Sequence, residues 1–324
     1  MYEYKSSLAP FFTSYVDFKR SLGYKFQDIS TFKNLDQFLC ECSSYDGSIG
    51  LSEKILSTWC VHRANESDCN WYSRIVELKG FAVYLNRLGY PSFVPRLPKR
   101  YSSTFTPYIF THEELSRFFA SCDRLEYHAN YQSLHHILPA LFRLLYGCGL
   151  RISEALSLRC EDVDLSEGRI TIHETKNGEE RRLPLSDSLK AVLEQYAAHW
   201  RPNACGRELF FVKQNGEPCS HKTVYQRFRQ ILFHAGISHG GKGKGPRVHD
   251  LRHSFSVHSL AGMADQGMDL YYCLPLLSQY LGHKSLAATD AYVRLTAEMY
   301  PRLLDEVNRI CAFVFPQISQ GDAL

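Results

Sequence analysis

The segment from residue 249 to residue 293 decides the fold and reads HDLRHSFSVHSLAGMADQGMDLYYCLPLLSQYLGHKSLAATDAYV. It holds histidines, a single arginine (Arg252) and a late tyrosine (Tyr292), among apolar residues whose spacing predicts packed helices. A guanidinium is planar, and its fixed donors match phosphate oxygens bidentately. A tyrosine hydroxyl acts as a covalent nucleophile when its surroundings lower the cost of deprotonation. These residue types favour attack on a phosphodiester over attack on a carbonyl.

This segment resembles the C-terminal box of the tyrosine recombinase (phage integrase) family. That box has the form His-x-x-Arg, then Leu-Gly-His, then a tyrosine that follows the last histidine at a fixed distance. The three parts here are residues 249–252, residues 281–283 and Tyr292, which follows His283 by nine residues. The spacing selects Tyr292 over its neighbours Tyr280 and Tyr300, which are decoys in any mapping experiment.

Two further parts of the family pattern precede this box. Residues 146–156, YGCGLRISEAL, resemble the first box, in which an arginine (here Arg151) opens a helix after a glycine-rich turn. Residues 169–173 and 181–184 alternate as two short strands around Asn177 and Gly178, which signal a hairpin. Lys176 in this hairpin matches the family's hairpin lysine. All parts occur in the family's order over the last two-thirds of the chain.

The resemblance implies an in-line displacement at a DNA phosphodiester, with no cofactor and no metal. Cationic side chains stabilise the charge that builds on the phosphate oxygens, and histidines whose protonation changes near neutral pH add hydrogen bonds. A lysine protonates the departing 5′ oxygen, while the tyrosine forms a 3′-phosphotyrosine that a second DNA end reverses without ATP. The implied catalytic set is Arg151, Arg252, His249, His283, Lys176 as general acid and Tyr292 as nucleophile.

Two other polar residues accompany this set. Glu154 lies three residues after Arg151 on the same helical face, where the family has an acid that orients the site, and a surface ion pair is an equally weighted alternative. His253 is given a packing role rather than a chemical one. With His249 it has the spacing of a zinc site, but Asp250 stands where a metalloprotease needs Glu and no third ligand is evident, so a zinc hydrolase is disfavoured.

Composition describes an ordinary globular protein. The chain has 324 residues, enough for two domains, with 44% hydrophobic and 22% charged residues. The apolar runs are too short for a transmembrane helix, and the N-terminus lacks the order of a signal peptide, so a cytoplasmic location is predicted. The eleven cysteines include no Cys-x-x-Cys pair and are read as reduced thiols. The predicted fold class is mainly α with a small antiparallel β-sheet.

The predicted domain organisation has four parts. Residues 1–90 show four amphipathic helical stretches, and the resemblance makes them the family's core-type DNA-binding domain, a generic helical bundle being the alternative. Residues 91–110 form a basic, proline-containing linker, and residues 111–312 the catalytic domain. Residues 313–324 form an apolar tail that the resemblance docks on a neighbouring protomer, with self-burial as the alternative.

The net charge of the chain is only +3, which does not by itself indicate a DNA-binding protein. Two short basic stretches, one in the linker and one in a glycine-rich loop before the main segment, gain weight beside a phosphate-binding box. They supply six candidate DNA contacts, which are Arg96, Lys99, Arg100, Lys242, Lys244 and Arg247.

The leading hypothesis is a site-specific recombinase that acts as a homotetramer on two sites in double-stranded DNA, with a second recombinase or a DNA-bending protein as a further candidate partner. A silent DNA-binding accessory protein would have lost a catalytic residue, and none is lost. A type IB topoisomerase shares the cleavage chemistry, but the compact helical N-terminal part favours recombination. The interval from Arg252 to His283 is about eight residues longer than in compact family members, around residues 263–274, which favours a mobile-element recombinase.

Overall fold

The computed structural model describes residues 2–24, 26, 30–100, 106–128, 133–173, 180–201, 206–241 and 245–282, together with residues 289, 292, 295 and 296. The chain divides into two compact units, Met1–Phe105 and Thr106–Leu324. Each has its own hydrophobic core. In the described ranges, no helix is long and apolar enough to cross a membrane.

Unit 1 is a helical bundle. Its helices are α1 (Ala9–Ser21), α2 (Ser30–Glu41), α3 (Glu53–Cys60) and α4 (Asp68–Arg87). The buried rings of Phe12, Phe32 and Phe81 come from three different helices, with centroids 4.9–5.3 Å apart. Aromatic pairs at such separations add to the free energy of burial, so these rings join α1, α2 and α4.

Unit 2 carries seven more described α-helices and one small sheet. The helices are α5 (His112–Asp123), α6 (Leu134–Gly147), α7 (Ile152–Ser157), α8 (Asp187–Trp200), α9 (His221–His234), α10 (Asp250–Asp265) and α11 (Leu270–Leu281). The strands β1 (Val163–Asp164), β2 (Arg169–Ile172) and β3 (Arg181–Pro184) form an antiparallel sheet in the order β1-β2-β3. The predicted class, mainly α with a small antiparallel sheet, is confirmed.

Local sequence explains where the core helices of unit 2 begin. The Thr111 hydroxyl accepts a hydrogen bond from the Glu114 N–H, and the Glu114 carboxylate accepts one from the Thr111 N–H, so a capping box starts α5. Helix α6 is apolar on most of its faces and buries eight residues. Such a helix belongs at the centre of a domain, and α5, α8 and α10 pack around it.

One glycine fixes the approach of α7 to the core. Gly149 has φ +58°, and a Cβ atom there would lie 2.5 Å from a ring carbon of Phe255 and 2.9 Å from a methyl of Leu281. Only glycine tolerates both the conformation and the contact. The turn before α7 therefore packs against α10 and α11, which brings the first box close to the two parts of the C-terminal box that lie on these helices.

Candidate active site

Arg151 and Glu154 form an ion pair at the start of α7. The Glu154 Oε1 atom lies 2.7 Å from Arg151 Nη1, and Oε2 accepts the Arg151 backbone N–H at 2.9 Å. Arg151 has an extended ψ of 146° and is the N-cap of α7, so it stands directly before the helix that it was predicted to open. Glu154 is only 2% exposed, which excludes the surface ion pair that the sequence left open. Arg151 is 22% exposed and reaches the surface.

Arg252 lies at the floor of the site, where it is 1% exposed. Its Nη1 donates to the Gly149 carbonyl and its Nη2 to the Leu281 carbonyl, both at 2.7 Å. Nη1 also lies 3.9 Å from Glu154 Oε2. Burial and the Arg151 charge lower the pKa of Arg252 to about 10, which still leaves it charged at neutral pH. A fixed positive charge thus stands beneath the surface arginine.

A third guanidinium, from Arg181 at the start of β3, was not predicted as a site residue. Its Nη2 lies 2.7 Å from Glu154 Oε2 and its Nη1 3.2 Å from Oε1. Arg181 stands opposite Ile172 and two residues before Leu183, so it shares their buried face of the sheet. A charged residue in the apolar phase of a strand beside the lysine hairpin is the signal by which the sequence could have identified it.

The three guanidiniums converge on the C-terminal end of α11. Arg181 Nε donates to the Tyr280 carbonyl at 3.0 Å, and Arg151 Nη2 lies 3.4 Å from the Gly282 oxygen. With the Arg252 bond to the carbonyl between them, three consecutive carbonyls at the end of α11 face arginines. The last carbonyls of a helix lack partners within it and carry partial negative charge, so cations stabilise them. This anchors the residues that precede position 283.

His249 lies beside the arginines, and its protonation differs from expectation. The residue has solvent-exposed surface, but partial desolvation by the surrounding protein, together with the charges of Arg252, Arg151 and Arg247, lowers its pKa to about 4. The sequence predicts a proton gain or loss near neutral pH, whereas this lowered pKa favours the neutral ring at that pH. A neutral His249 ring donates one hydrogen bond from one nitrogen and accepts one at the other, without carrying charge.

Tyr292 is buried between α10 and α11, where it packs with Val257, Leu260 and Leu277. Its side chain is 4% exposed. Burial raises the pKa of Tyr292, whereas the Arg252 charge, a hydrogen bond with Ser256, the Arg151 charge and a hydrogen bond with Arg252 lower it. The hydroxyl therefore lies within the electrostatic field of Arg151 and Arg252.

His253 contacts this tyrosine directly. Its Nδ1 lies 2.8 Å from the Tyr292 hydroxyl, and its ring centroid is 4.8 Å from that of His249 at right angles. The sequence assigns His253 a packing role; its spacing of one helical turn from His249 was the signal that the two rings share a face. Tyr280, by contrast, stacks on Phe255 within the core, with ring centroids 5.6 Å apart.

The remaining predicted residues are placed as follows. Arg96, Lys99 and Arg100 are exposed in unit 1, in irregular chain after α4. Arg247 is half-buried, and its Nη2 lies 3.3 Å from Asp250 Oδ1. Four predicted residues lie outside the described residues: Lys176, His283, Lys242 and Lys244. The base of the lysine hairpin is described, and there His173 Nε2 lies 2.9 Å from the buried Asp162 and Nδ1 2.9 Å from Glu180.

Similar proteins of known class were found by sequence and by fold. The chain is similar to the integrase/recombinase-like protein y4rB of Sinorhizobium fredii, with 28% identity over 91% of this chain and 95% of the relative. It is also similar to tyrosine recombinase XerA of Pyrococcus furiosus, with 32% identity over 51% of this chain and 52% of the relative, about half the length of each. The fold resembles the XerH recombinase in a post-cleavage complex with its difH substrate, with a TM-score of 0.62 and 21% identity over 86% of this chain and 77% of that one.

The fold and the site thus define a tyrosine-type enzyme that cleaves and rejoins DNA. The model of the Phage integrase family matches residues 109–299, and the chain belongs to this family, the tyrosine recombinases. The resemblance stated from the sequence boxes is confirmed. A site-specific DNA recombinase is the function that the relatives support, and the accessory-protein and topoisomerase alternatives are not favoured.

Proposed function

We propose that this chain recombines DNA at a specific site by attack of Tyr292 on a phosphodiester. The observation that carries the proposal is the placement of the Tyr292 hydroxyl within the fields of Arg151 and Arg252, in a domain of this family. A phosphodiester at the surface beside Arg151 would contact the Arg151 guanidinium, and the buried Arg252 would supply a second positive charge nearby. Preorganised cations of this kind stabilise the charge that grows on the phosphate oxygens during displacement.

The other roles follow from the chemistry. Lys176 protonates the 5′ oxygen as it leaves, and His249 and His283 hydrogen-bond to the phosphate. Glu154 holds Arg151 in place, as its two contacts with that residue support. The product of cleavage is a 3′-phosphotyrosine and a free 5′ hydroxyl, and attack by a second 5′ hydroxyl completes the exchange. No cofactor or metal is part of this proposal.

The assembly is proposed to be a homotetramer that holds two DNA sites, in the cytoplasm, and to serve a mobile element. Residues 1–90 would bind DNA as a core-type domain and residues 111–312 would carry the chemistry, with residues 91–110 as linker. The exposed cations Arg96, Lys99 and Arg100, with Arg247 and the two loop lysines Lys242 and Lys244, would contact DNA phosphates. The tail at 313–324 would dock on a neighbouring protomer, and sedimentation of the DNA complex would test the tetramer.

The decisive experiment traps the covalent step. The purified chain is mixed with a nicked duplex that carries candidate sites from the DNA flanking its own gene, in the presence of a chelator. A covalent adduct is expected for the unsubstituted protein and for Tyr280→Phe, whose ring belongs to the core, and none for Tyr292→Phe. An adduct that survives Tyr292→Phe would contradict the assignment of the nucleophile. DNA binding without any adduct on a cognate site would favour an accessory role.

A further inference from the structure

The reaction needs an acceptor for the Tyr292 proton, and the roles above provide none. As the tyrosine oxygen bonds to phosphorus, its proton must leave, and a buried phenol with a raised pKa does not lose it unaided. Lys176 serves the other end of the reaction, where the leaving oxygen gains a proton. We propose that His253 is the general base that accepts the Tyr292 proton, an inference that rests on the proposed function.

Geometry supports His253 first. Its Nδ1 lies 2.8 Å from the Tyr292 hydroxyl, within the range required of a general base. A phenol has a single hydrogen, which it donates to Nδ1 when the ring carries its own hydrogen on Nε2. The contact joins the reacting oxygen itself to a basic nitrogen, so His253 would act on that oxygen directly.

Other groups beside the hydroxyl are poorer acceptors. Arg252 is a cation with donors only, and Ser256 offers a hydroxyl that is not basic. The His249 ring meets the ring of His253, with centroids 4.8 Å apart, whereas the hydrogen bond to the Tyr292 hydroxyl is made by His253. The two histidines on one face of α10 therefore divide the work: the neutral His249 hydrogen-bonds to phosphate, and His253 takes the proton.

The charged surroundings suit a base that starts neutral. The described charged and titratable groups around this pair are Arg252, Arg247 and His249 on or beside the start of α10, and Arg151 and Glu154 from α7. An incoming phosphodiester brings negative charge to the same place, which compensates the positive charge of an imidazole that has accepted the proton.

The step balances in both directions. On cleavage the Oη–P bond forms and the P–O5′ bond breaks, while one proton passes from Tyr292 to His253 Nδ1 and another from Lys176 to the 5′ oxygen. On rejoining, a 5′ hydroxyl attacks the phosphotyrosine, its proton goes to Lys176, and the His253 imidazolium returns its proton to the tyrosine oxygen. No oxidant, metal or nucleotide is consumed.

The test compares His253→Asn with Ser256→Ala in single-turnover adduct formation from pH 5 to pH 9. An asparagine oxygen takes the place of Nδ1 and keeps the hydrogen bond but is not basic. The rate of adduct formation is therefore expected to fall roughly 10²-fold, and its decline at low pH is expected to disappear. Ser256→Ala removes a different hydrogen bond to the same hydroxyl and is expected to keep the decline of the rate at low pH. Free imidazole is expected to restore part of the rate of His253→Ala, which a merely structural role would not allow.

A substrate with sulfur in place of the bridging 5′ oxygen separates the two ends of the reaction. A thiolate leaves without protonation, so this substrate should rescue Lys176→Ala and leave His253→Asn slow. A His253→Asn rate within threefold of the unsubstituted protein, or one that is faster, would overturn the assignment. Absence of an adduct from the unsubstituted protein, or persistence of one in Tyr292→Phe, would overturn the proposed function as well, so the two failures are distinguishable.

Discussion

Arg181 binds Glu154 through both ends of its guanidinium, with Nη2 2.7 Å from Oε2 and Nη1 3.2 Å from Oε1. The Arg181 side chain is only 9% exposed, so water screens the attraction between the two charges only weakly. The same carboxylate holds Arg151, and the same guanidinium holds the Tyr280 carbonyl through Nε. This pair therefore ties β3 and the end of α11 to the arginine that opens α7.

Loss of either partner in this pair should cost stability. Removing one member of a buried ion pair leaves an uncompensated charge, so Arg181→Met and Glu154→Gln are each expected to lower the free energy of unfolding by about 3 kcal/mol. The double substitution should cost less than the sum, by roughly 1 kcal/mol or more, since the residues share one interaction. Urea unfolding of the four proteins measures this coupling.

Arg182 provides the matched control for that cycle. It lies next to Arg181 on β3 but on the exposed face, so Arg182→Met should change the free energy of unfolding by less than about 0.5 kcal/mol. Equal effects at the two positions, or strict additivity of Arg181→Met with Glu154→Gln, would contradict the structural role given to the pair.

Arg181 also marks where sequence reasoning succeeded and where it stopped. The hairpin was predicted from its alternation and its Asn-Gly turn, and β2 and β3 are described at nearly the predicted residues. The alternation of β3 could have assigned Arg181 to the buried face of the sheet, but its partner Glu154 lies 27 residues away, where no local pattern indicates it.

The partners of Arg252 illustrate the same limit. Residue type and order predicted a phosphate-binding arginine, which implies an accessible guanidinium. Two of its hydrogen bonds instead go to the carbonyls of Gly149 and Leu281, separated from it by 103 and 29 residues. Contacts at such separations depend on how α7, α10 and α11 pack, which no local pattern encodes.

Gly282 should be sensitive to substitution for a reason that Gly267 does not share. Both have positive φ, +67° and +76°, so alanine costs about 1 kcal/mol of backbone strain at either position. A Cβ at residue 282 would lie 3.0 Å from Arg181 Nη1, which Glu154 holds in place, whereas nothing lies within 4 Å at residue 267. Gly282→Ala should therefore also slow adduct formation, by roughly tenfold, through displacement of the ion pair.

The comparison of Gly282→Ala with Gly267→Ala separates strain from positioning. Urea unfolding reports the backbone cost, and single-turnover adduct formation reports the state of the site. Similar losses of stability with a rate defect confined to Gly282→Ala are expected. A rate defect of equal size in Gly267→Ala would show that backbone strain alone explains the effect.

His258 should make the protein less stable in mild acid. Burial, together with the nearby His112 ring at 4.3 Å, lowers its pKa to about 4, and its Nδ1 lies 2.9 Å from the Tyr146 hydroxyl. An unfolded chain protonates this histidine near its ordinary pKa of about 6.5, so between these two values the unfolded state binds more protons. The stability that His258 contributes is therefore complete above about pH 6.5 and is lost as the pH falls towards 4.

The loss by pH 5 should be on the order of 1 kcal/mol, after allowance for the partial exposure of the ring. His258→Gln is expected to flatten the decline of unfolding free energy between pH 7 and pH 5, leaving a smaller slope to which His249 contributes in the same direction. His199→Gln, at an exposed position of α8, is the control and should leave the slope unchanged. A full slope in His258→Gln would mean that the acid sensitivity arises from other groups, because a glutamine side chain cannot take up the proton.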